Sequence, residues 1–587
     1  MRSKNGGGEV VEQWPNKSLA APEQALAPAP NTRLPNSVEL PTRPSFNKSF
    51  GHRSTNQPPQ LPLRASVPSS SEEGSRYLCP MSLSLYNTLS RQKEEFQPVH
   101  PPQVGVYLCG PTVYSEAHLG NARGPVVFDV LTRYLRHLQY QVRYVRNITD
   151  VGHLESDADT GEDKMEKAAR AARIEPMQVA QHFTNRYRQH MLALGCLPPD
   201  IEPQASGHII EQIQVIEEII ANGLAYEVNG SVYFDVPKYN ETQRYGKLSN
   251  RSIEDQLAGT RANLEGQSEK RSPLDFALWK KASPGHIMRW PSPFGDAPGE
   301  GFPGWHLECS AMSRKYLGEL SDIHGGGLDL MFPHHECEIA QSQGSHSHTD
   351  EARFWMHNNM ITVNGTKMSK SLGNFVLLGD MFLGPTGPLA SGYSPMVVRF
   401  FLLQAHYRSP VDVSDEALQA ARKGYRKLMN GLRLIESEKL KVKSGEASPA
   451  DQEKLTANSQ QLIALSQKPA EFLNDDLNTP RALAALFDLL KRFNTLAAAP
   501  AALAEVGAEA LAQATATYRT FVQDVLGLRE ETAVNPEQLI SLTLGFYSEA
   551  KADKAYDKVD VIRAALKTQG IVIKDTKAGV EWAYSEE

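Results

Sequence analysis

At 587 residues, 40% of them hydrophobic and 22% charged, with a formal net charge of -7, the chain is too long for one compact core and should fold as three or more domains. No apolar run is long enough to span a bilayer and the N-terminus lacks the basic-then-apolar pattern of a secretory signal, so a cytoplasmic protein with no membrane partner is expected. Mild acidity argues against a general nucleic-acid coat, yet it leaves room for a local basic surface that docks one RNA, because binding follows the local field.

Residues 1–80 are rich in Pro, Ser, Asn, Gln and Gly and lack apolar periodicity. Such a segment buries too little surface to offset chain entropy and reads as a disordered N-terminal extension. Met81 opens the first sequence of folded character, so it is either the true start or the end of a dispensable leader. Val104–Cys109 is short and apolar, like a buried strand, and runs into the turn signal Gly110-Pro111-Thr112. Val126, Val127, Val130, Leu131, Tyr134, Leu135 and Leu138 then recur at helical spacing, and Gln141–Val145 returns as a strand. Strand, loop, helix and strand form the unit of a parallel α/β sheet.

The isoleucines between Ile209 and Ile220 predict an amphipathic helix that stops at Asn222-Gly223. Ala225–Val228 and Ser231–Val236 flank Asn229-Gly230, a hairpin signal, and begin a β-rich insertion. Residues 301–360 regain α/β character, and from about 411 onward the pattern is helical. No internal repeat at a solenoid period is present.

Five cysteines (Cys79, Cys109, Cys196, Cys309 and Cys337) are odd in number and scattered, which is no disulfide framework. In a reducing compartment such residues are core side chains, metal ligands or catalytic groups. Cys109 ends the first strand and Cys309 lies in Trp305-His-Leu-Glu-Cys309. Pro333 suits a first helical position. His334 and Glu338, four apart, share one face of the helix it opens. Zinc accepts thiolate, imidazole and carboxylate. From the residues alone, His335 and Cys337 are equally available as ligands.

His118-Leu119-Gly120-Asn121 falls between a strand and the following helix, where unpaired N–H groups and the helix dipole suit phosphate. Gly120 permits close approach, while His118 and Asn121 can donate to phosphate oxygens. Far downstream, Lys367-Met368-Ser369-Lys370-Ser371 with Gly373 makes a cationic loop suited to a polyphosphate. In His324-Gly325-Gly326-Gly327-Leu328-Asp329 the glycines let backbone pack against a flat ring, and Asp329 can accept from an amine or a ribose hydroxyl.

The first and second of these motifs, in this order, resemble the HIGH and KMSKS signatures of class I aminoacyl-tRNA synthetases. Further stretches narrow the resemblance: Cys109-Gly-Pro-Thr-Val-Tyr114, Arg146-Asn-Ile-Thr-Asp150, Gly304-Trp-His-Leu-Glu-Cys-Ser-Ala-Met312, His324 to Glu338, and Val580-Glu-Trp582 after Gly570-Ile-Val-Ile. Together they resemble the cysteinyl-tRNA synthetase family across essentially residues 82–587. Three departures stand out. Asn121 takes a place where the class pattern has His, and the leader and the stretch Gly295–Gly301 are longer than the family core requires.

The resemblance implies an α/β fold: a Rossmann-like parallel-sheet catalytic domain in two halves (81–225 and 301–360) around an inserted connective region (226–300). A KMSKS loop and stem-contact region (361–410), a helical tRNA-binding domain (411–530) and a small C-terminal anticodon-binding domain (531–587) would follow. It implies a single zinc ion on Cys109, Cys309, His334 and Glu338, which makes His335 and Cys337 non-ligands. It implies cysteine binding by Gly110, Thr149 and Trp305, and ATP binding by Pro111, Thr112, His118, Gly120, Asn121, Gly325, Gly326, Asp329 and Lys370. His118, Asn121, Lys367 and Lys370 would assist the chemistry. The implied reaction joins L-cysteine to tRNA(Cys) at the expense of ATP, with Mg2+, through cysteinyl-adenylate, in a monomer without DNA or membrane partners. Zinc would select the thiol, since an apolar pocket separates near-isosteres by only about 10–200-fold. A ligase joining cysteine to an amino-sugar would not need the long helical region 411–587, and a non-catalytic paralogue should have lost His118, Lys370 or the zinc set.

Overall fold

The computed structural model describes residues 82–151, 154–156, 160–253, 269–295, 299–346, 348–369, 372–440, 457–531, 536–576 and 579–584. The expected N-terminal extension (1–80), Met81, and Lys370 with Ser371 of the lysine loop lie outside the described residues.

Four parallel strands form the central sheet, in the order Ala352–Asn358, Ser321–Gly327, Gln103–Leu108, Gln141–Arg146. The apolar run expected as a strand is the third of these, and its Val104, Val106, Tyr107 and Leu108 are buried. From there the chain passes through the helix Leu119–His137 to Gln141–Arg146 on one side. It later returns as Ser321–Gly327 on the other side. The strand order therefore reverses at Gln103–Leu108, and the crevice beyond the carboxyl ends at such a switch point is where open α/β sheets bind ligands. Cys109 sits there, its N–H donating to the Gly325 carbonyl at 3.0 Å.

The helix Ile209–Ala221 stops at Asn222, with Gly223 in the left-handed region at φ +72. Beyond it, five antiparallel strands run in the order Trp290–Ser292, Gly299–Pro303, Phe276–Lys281, Ser231–Phe234, Ala225–Val228. The Asn229-Gly230 hairpin supplies its last two strands, both turn residues having positive φ. Val232, Phe234, Phe276 and Trp279 form a core of their own with Ile216 and Ile219. Gly299–Pro303 delivers the chain through Gly304 into the helix Trp305–Leu317.

Past the parallel sheet, Ile361–Val363 pairs antiparallel with Thr366–Lys367 and parallel with Val411–Val413. The helical pattern expected from about 411 thus begins after a short strand, at Asp415. There Ser414 caps the helix Asp415–Glu436 by accepting from Ala417 N–H. The helices Ala457–Asn474, Thr479–Ala498 and Ala508–Arg519 pack with it around Leu428, Leu462, Leu486, Leu489 and Tyr518. The last segment is a helix pair, Pro536–Ala552 and Tyr556–Thr568, with a hairpin, Ile571–Thr576 and Gly579–Tyr584. Its separate core is made by Tyr547, Val559 and Ile573. Among the described residues no helix is long and apolar enough to cross a membrane.

Candidate active site

A cavity of about 740 Å³ opens at the switch point. Its walls include Cys109, Gly110, Pro111 and Thr112 from the end of the first strand, and His118, Gly120 and Asn121 from the start of the next helix. Thr149, Trp305, Cys309, Gly326, Asp329, His334 and Lys367 complete the set of sequence-predicted residues that reach it. Gly325 stays out of the wall, because it is a buried strand residue whose missing side chain is replaced by the Phe128 ring. Glu338 lies behind the wall, fully buried.

The first signature segment is built by capping. His118 is the N-cap of the helix Leu119–His137, and its N–H donates to the Asn121 side-chain oxygen at 3.0 Å. Asn at 121 thus has a structural use as the acceptor that caps the helix start, and its amide NH2 group adds two donors. The lysine loop approaches from across the cavity. Leu119 N–H donates to Val376 O at 3.0 Å and Leu378 N–H to Ala117 O at 2.9 Å.

Cys109, Cys309, His334 and Glu338 converge so that one donor atom from each lies within 4.8 Å of the others. Pro333, expected as the first helical residue, is the residue just before the helix His334–Gly344, and His334 and Glu338 share a face as anticipated. The Cys109 and Cys309 sulfurs are 3.6 Å apart, Cys109 Sγ is 3.8 Å from Glu338 Oε1, and His334 Nε2 is 3.0 Å from that oxygen. Tetrahedral zinc–thiolate geometry needs an S–S edge of about 3.8 Å. Burial pushes the Glu338 carboxyl and the Cys109 thiol well above their usual values, and Cys309 adds to both. Among the described residues no Lys or Arg makes an ion pair with Glu338, and a divalent cation would complement the three acidic groups packed here, so the donor set fits zinc.

A second grouping shares two of these residues: Cys109, His324, His335 and Glu338. Cys109 Sγ is 3.5 Å from His324 Nε2 and 3.3 Å from His335 Nε2. Neither histidine faces the cavity, whereas Cys309 and His334 do. His335 is held well below the usual imidazole range by burial, and His357 and His324 add to this. Its Nδ1 lies 2.8 Å from His357 Nε2, and His357 Nδ1 lies 2.9 Å from Thr88 Oγ1.

Sequence reasoning offered His335 as a possible ligand and quoted His324 in the glycine-rich segment, but it missed His357 behind them. It also missed Glu308, fully buried, whose carboxyl is pushed well above its usual value by burial, with Cys309 second. The only sequence signal for Glu308 was its place next to Cys309. Trp305 stacks on His334, ring centroids 4.5 Å apart, and so closes the cavity wall over one candidate ligand.

Comparison with known proteins agrees with this arrangement. Residues 95–423 match the class I (C) tRNA synthetase catalytic domain, and residues 470–530 match the DALR domain. The chain is 54% identical over 510 residues to a cysteine–tRNA ligase of Bacteroides fragilis, covering 86% of this chain and 99% of that one. It is 48% identical over 509 residues to the enzyme of that name from Thermus thermophilus, with the same coverage. In fold it is similar to the methionyl-tRNA synthetase of Mycobacterium tuberculosis, solved with methionyl-adenylate. There the TM-score is 0.53 at 14% identity, across 72% of this chain and 91% of that one. A parallel sheet with its cavity at the switch point, two signature segments facing each other and a relative matched from end to end lead to one conclusion: the chain belongs to the cysteine–tRNA ligase family of class I aminoacyl-tRNA synthetases.

Proposed function

We propose that the protein activates L-cysteine with ATP and transfers it to the 3′-terminal adenosine of tRNA(Cys), working as a monomer in the cytoplasm. The observation that carries this reading is the thiol-rich donor cluster opening into the same cavity as both signature segments. Attack of the cysteine carboxylate on the α-phosphate forms cysteinyl-adenylate and releases pyrophosphate. A ribose hydroxyl of the tRNA then takes the acyl group and AMP leaves.

The residues divide between the two substrates. His118 and Asn121, at a helix N-terminus, donate to phosphate oxygens, and Gly120 lets those oxygens approach the backbone. Lys367 and Lys370 stabilise charge that develops as pyrophosphate departs, with Mg2+ accompanying ATP. Pro111, Thr112, Gly326 and Asp329 frame the nucleoside, and Gly110, Thr149 and Trp305 frame cysteine. Cys109, Cys309, His334 and Glu338 are the residues that would hold one zinc ion, because Cys309 and His334, unlike His324 and His335, face the cavity. When bound, zinc supplies a borderline-soft site that favours sulfur over oxygen and so separates cysteine from serine. Residues 411–530 and 531–587 are assigned to the tRNA, the latter to its anticodon.

Cysteine-dependent ATP–pyrophosphate exchange tests the reading. Robust exchange with cysteine and none above background with serine is expected. No exchange with cysteine, or equal exchange with serine, would overturn it.

A further inference from the structure

Arg123 follows the first signature segment by two residues, in the helix Leu119–His137, and is 1% exposed. Among the described residues no carboxylate pairs with it. Its guanidinium instead meets five main-chain carbonyls. Nη1 donates to Asn359 O at 2.7 Å and Met360 O at 2.8 Å, while Nη2 donates to His406 O and Tyr407 O at 3.2 Å each and to Ser409 O. Desolvation lowers its pKa to about 10, so it stays a cation at neutral pH, balanced by carbonyl dipoles.

Those carbonyls belong to the roots of two strands. Asn359-Met360 leads into Ile361–Val363, whose antiparallel partner Thr366–Lys367 carries the first lysine of the second signature. His406 to Ser409 leads into Val411–Val413, the parallel partner of the same strand. The far end of the lysine loop is tied to the first signature by Val376 and Leu378, and the Phe375 ring lies 4.9 Å from that of His118. The near end is tied to the same helix through Arg123. The other face of the 406–409 segment is held by the helical region, where Asp476 accepts from Tyr407 Oη at 2.6 Å and from Arg408 Nε at 2.8 Å.

We propose that Arg123 is a positioning residue for adenylate formation: it fixes the root of the lysine-bearing loop against the His118–Asn121 helix start without touching the ligand cavity. This rests on the function proposed above. A planar fork whose two terminal nitrogens spread four N–H groups over five carbonyls suits the task, and a lysine, with three donors on one atom, cannot reach all five. The cysteine side of the site hangs from other elements, through Thr149, Trp305 and Cys309. Loss of the fork therefore displaces the lysines while leaving cysteine binding in place.

Arg123→Lys in the full-length protein separates positioning from general structural support. The kcat of cysteine-dependent exchange should fall about 10–100-fold, since small misplacements of reacting groups have effects of that order. KM for cysteine and zinc content should stay at the wild-type level. Amide hydrogen exchange should quicken across 359–369 and 411–413 and remain unchanged in Gln103–Leu108. Undiminished kcat, a parallel loss of kcat and cysteine affinity, unchanged amide exchange, or a variant that does not fold would each overturn the assignment. A wild-type protein without cysteine-dependent exchange would sink the functional reading instead, and amide exchange would then decide the role of Arg123 alone.

Discussion

Nδ1 of His306 lies 3.0 Å from Nδ1 of His334, with both side chains buried and the His306 carbonyl accepting from Gln341 Nε2 at 2.7 Å. Two ring nitrogens at this distance share one proton, which fixes the orientation of His334 and leaves its Nε2 aimed at Glu338 Oε1. Partners of this kind orient metal ligands, and their loss weakens metal binding about 10–100-fold. His306→Ala is expected to lower zinc affinity by that order in chelator competition, with the far-UV spectrum unchanged. Wild-type affinity in the variant would show that this contact does not orient His334.

Gly110 owes its identity to a close approach. Its N–H donates to Asn147 Oδ1 at 2.7 Å, and a Cβ there would fall 1.6 Å from the Asn147 carbonyl oxygen. Backbone cannot yield as a flexible side chain can. Gly110→Ala should therefore destabilise the protein by about 1–3 kcal/mol and raise KM for cysteine, since the cavity wall must shift. Thermal unfolding and exchange kinetics on the same preparation check both effects.

These two residues show where sequence reading succeeds and where it stops. Gly110 followed an apolar strand and preceded a turn, so its position was legible locally. The helices around Val130 and Ile216 were legible too, because one buried face repeats at helical spacing. Phe276–Lys281, Trp290–Ser292 and Gly299–Pro303 were not, because their pairing spans distant residues and only the Asn229-Gly230 turn carries a local signal. The cluster was legible as chemistry but not as geometry. His335 approaches Cys109 as closely as any expected ligand, and only the direction of the cavity separates the two sets. Arg123 carries no local signal in the sequence, since its carbonyl partners lie 236 to 286 residues away.

Asp150 offers a test by pH. Burial raises its carboxyl above the usual value, while the Ser206 N–H at 2.8 Å and O–H at 2.6 Å act in the opposite direction. A carboxyl raised on folding binds its proton more tightly in the native state than in the unfolded one. Its contribution to stability is present below the unfolded pKa and is lost as pH rises through the folded value. Asp150→Asn keeps an acceptor for the Ser206 N–H and removes the titration. The variant's urea midpoint should therefore gain on the wild type's as pH rises from about 4 to about 7. A difference that stays constant over this range would contradict the argument.

Cys109, Cys309, His334 and Glu338 are proposed to hold the metal that recognises the substrate's thiol. The most direct measurement is zinc content together with cysteine and ATP affinity in Cys309→Ser. Loss of zinc and of cysteine binding is expected, with ATP binding weakened much less, because His118, Asn121 and the lysine loop lie on other elements. Wild-type cysteine affinity in a metal-free variant would contradict it.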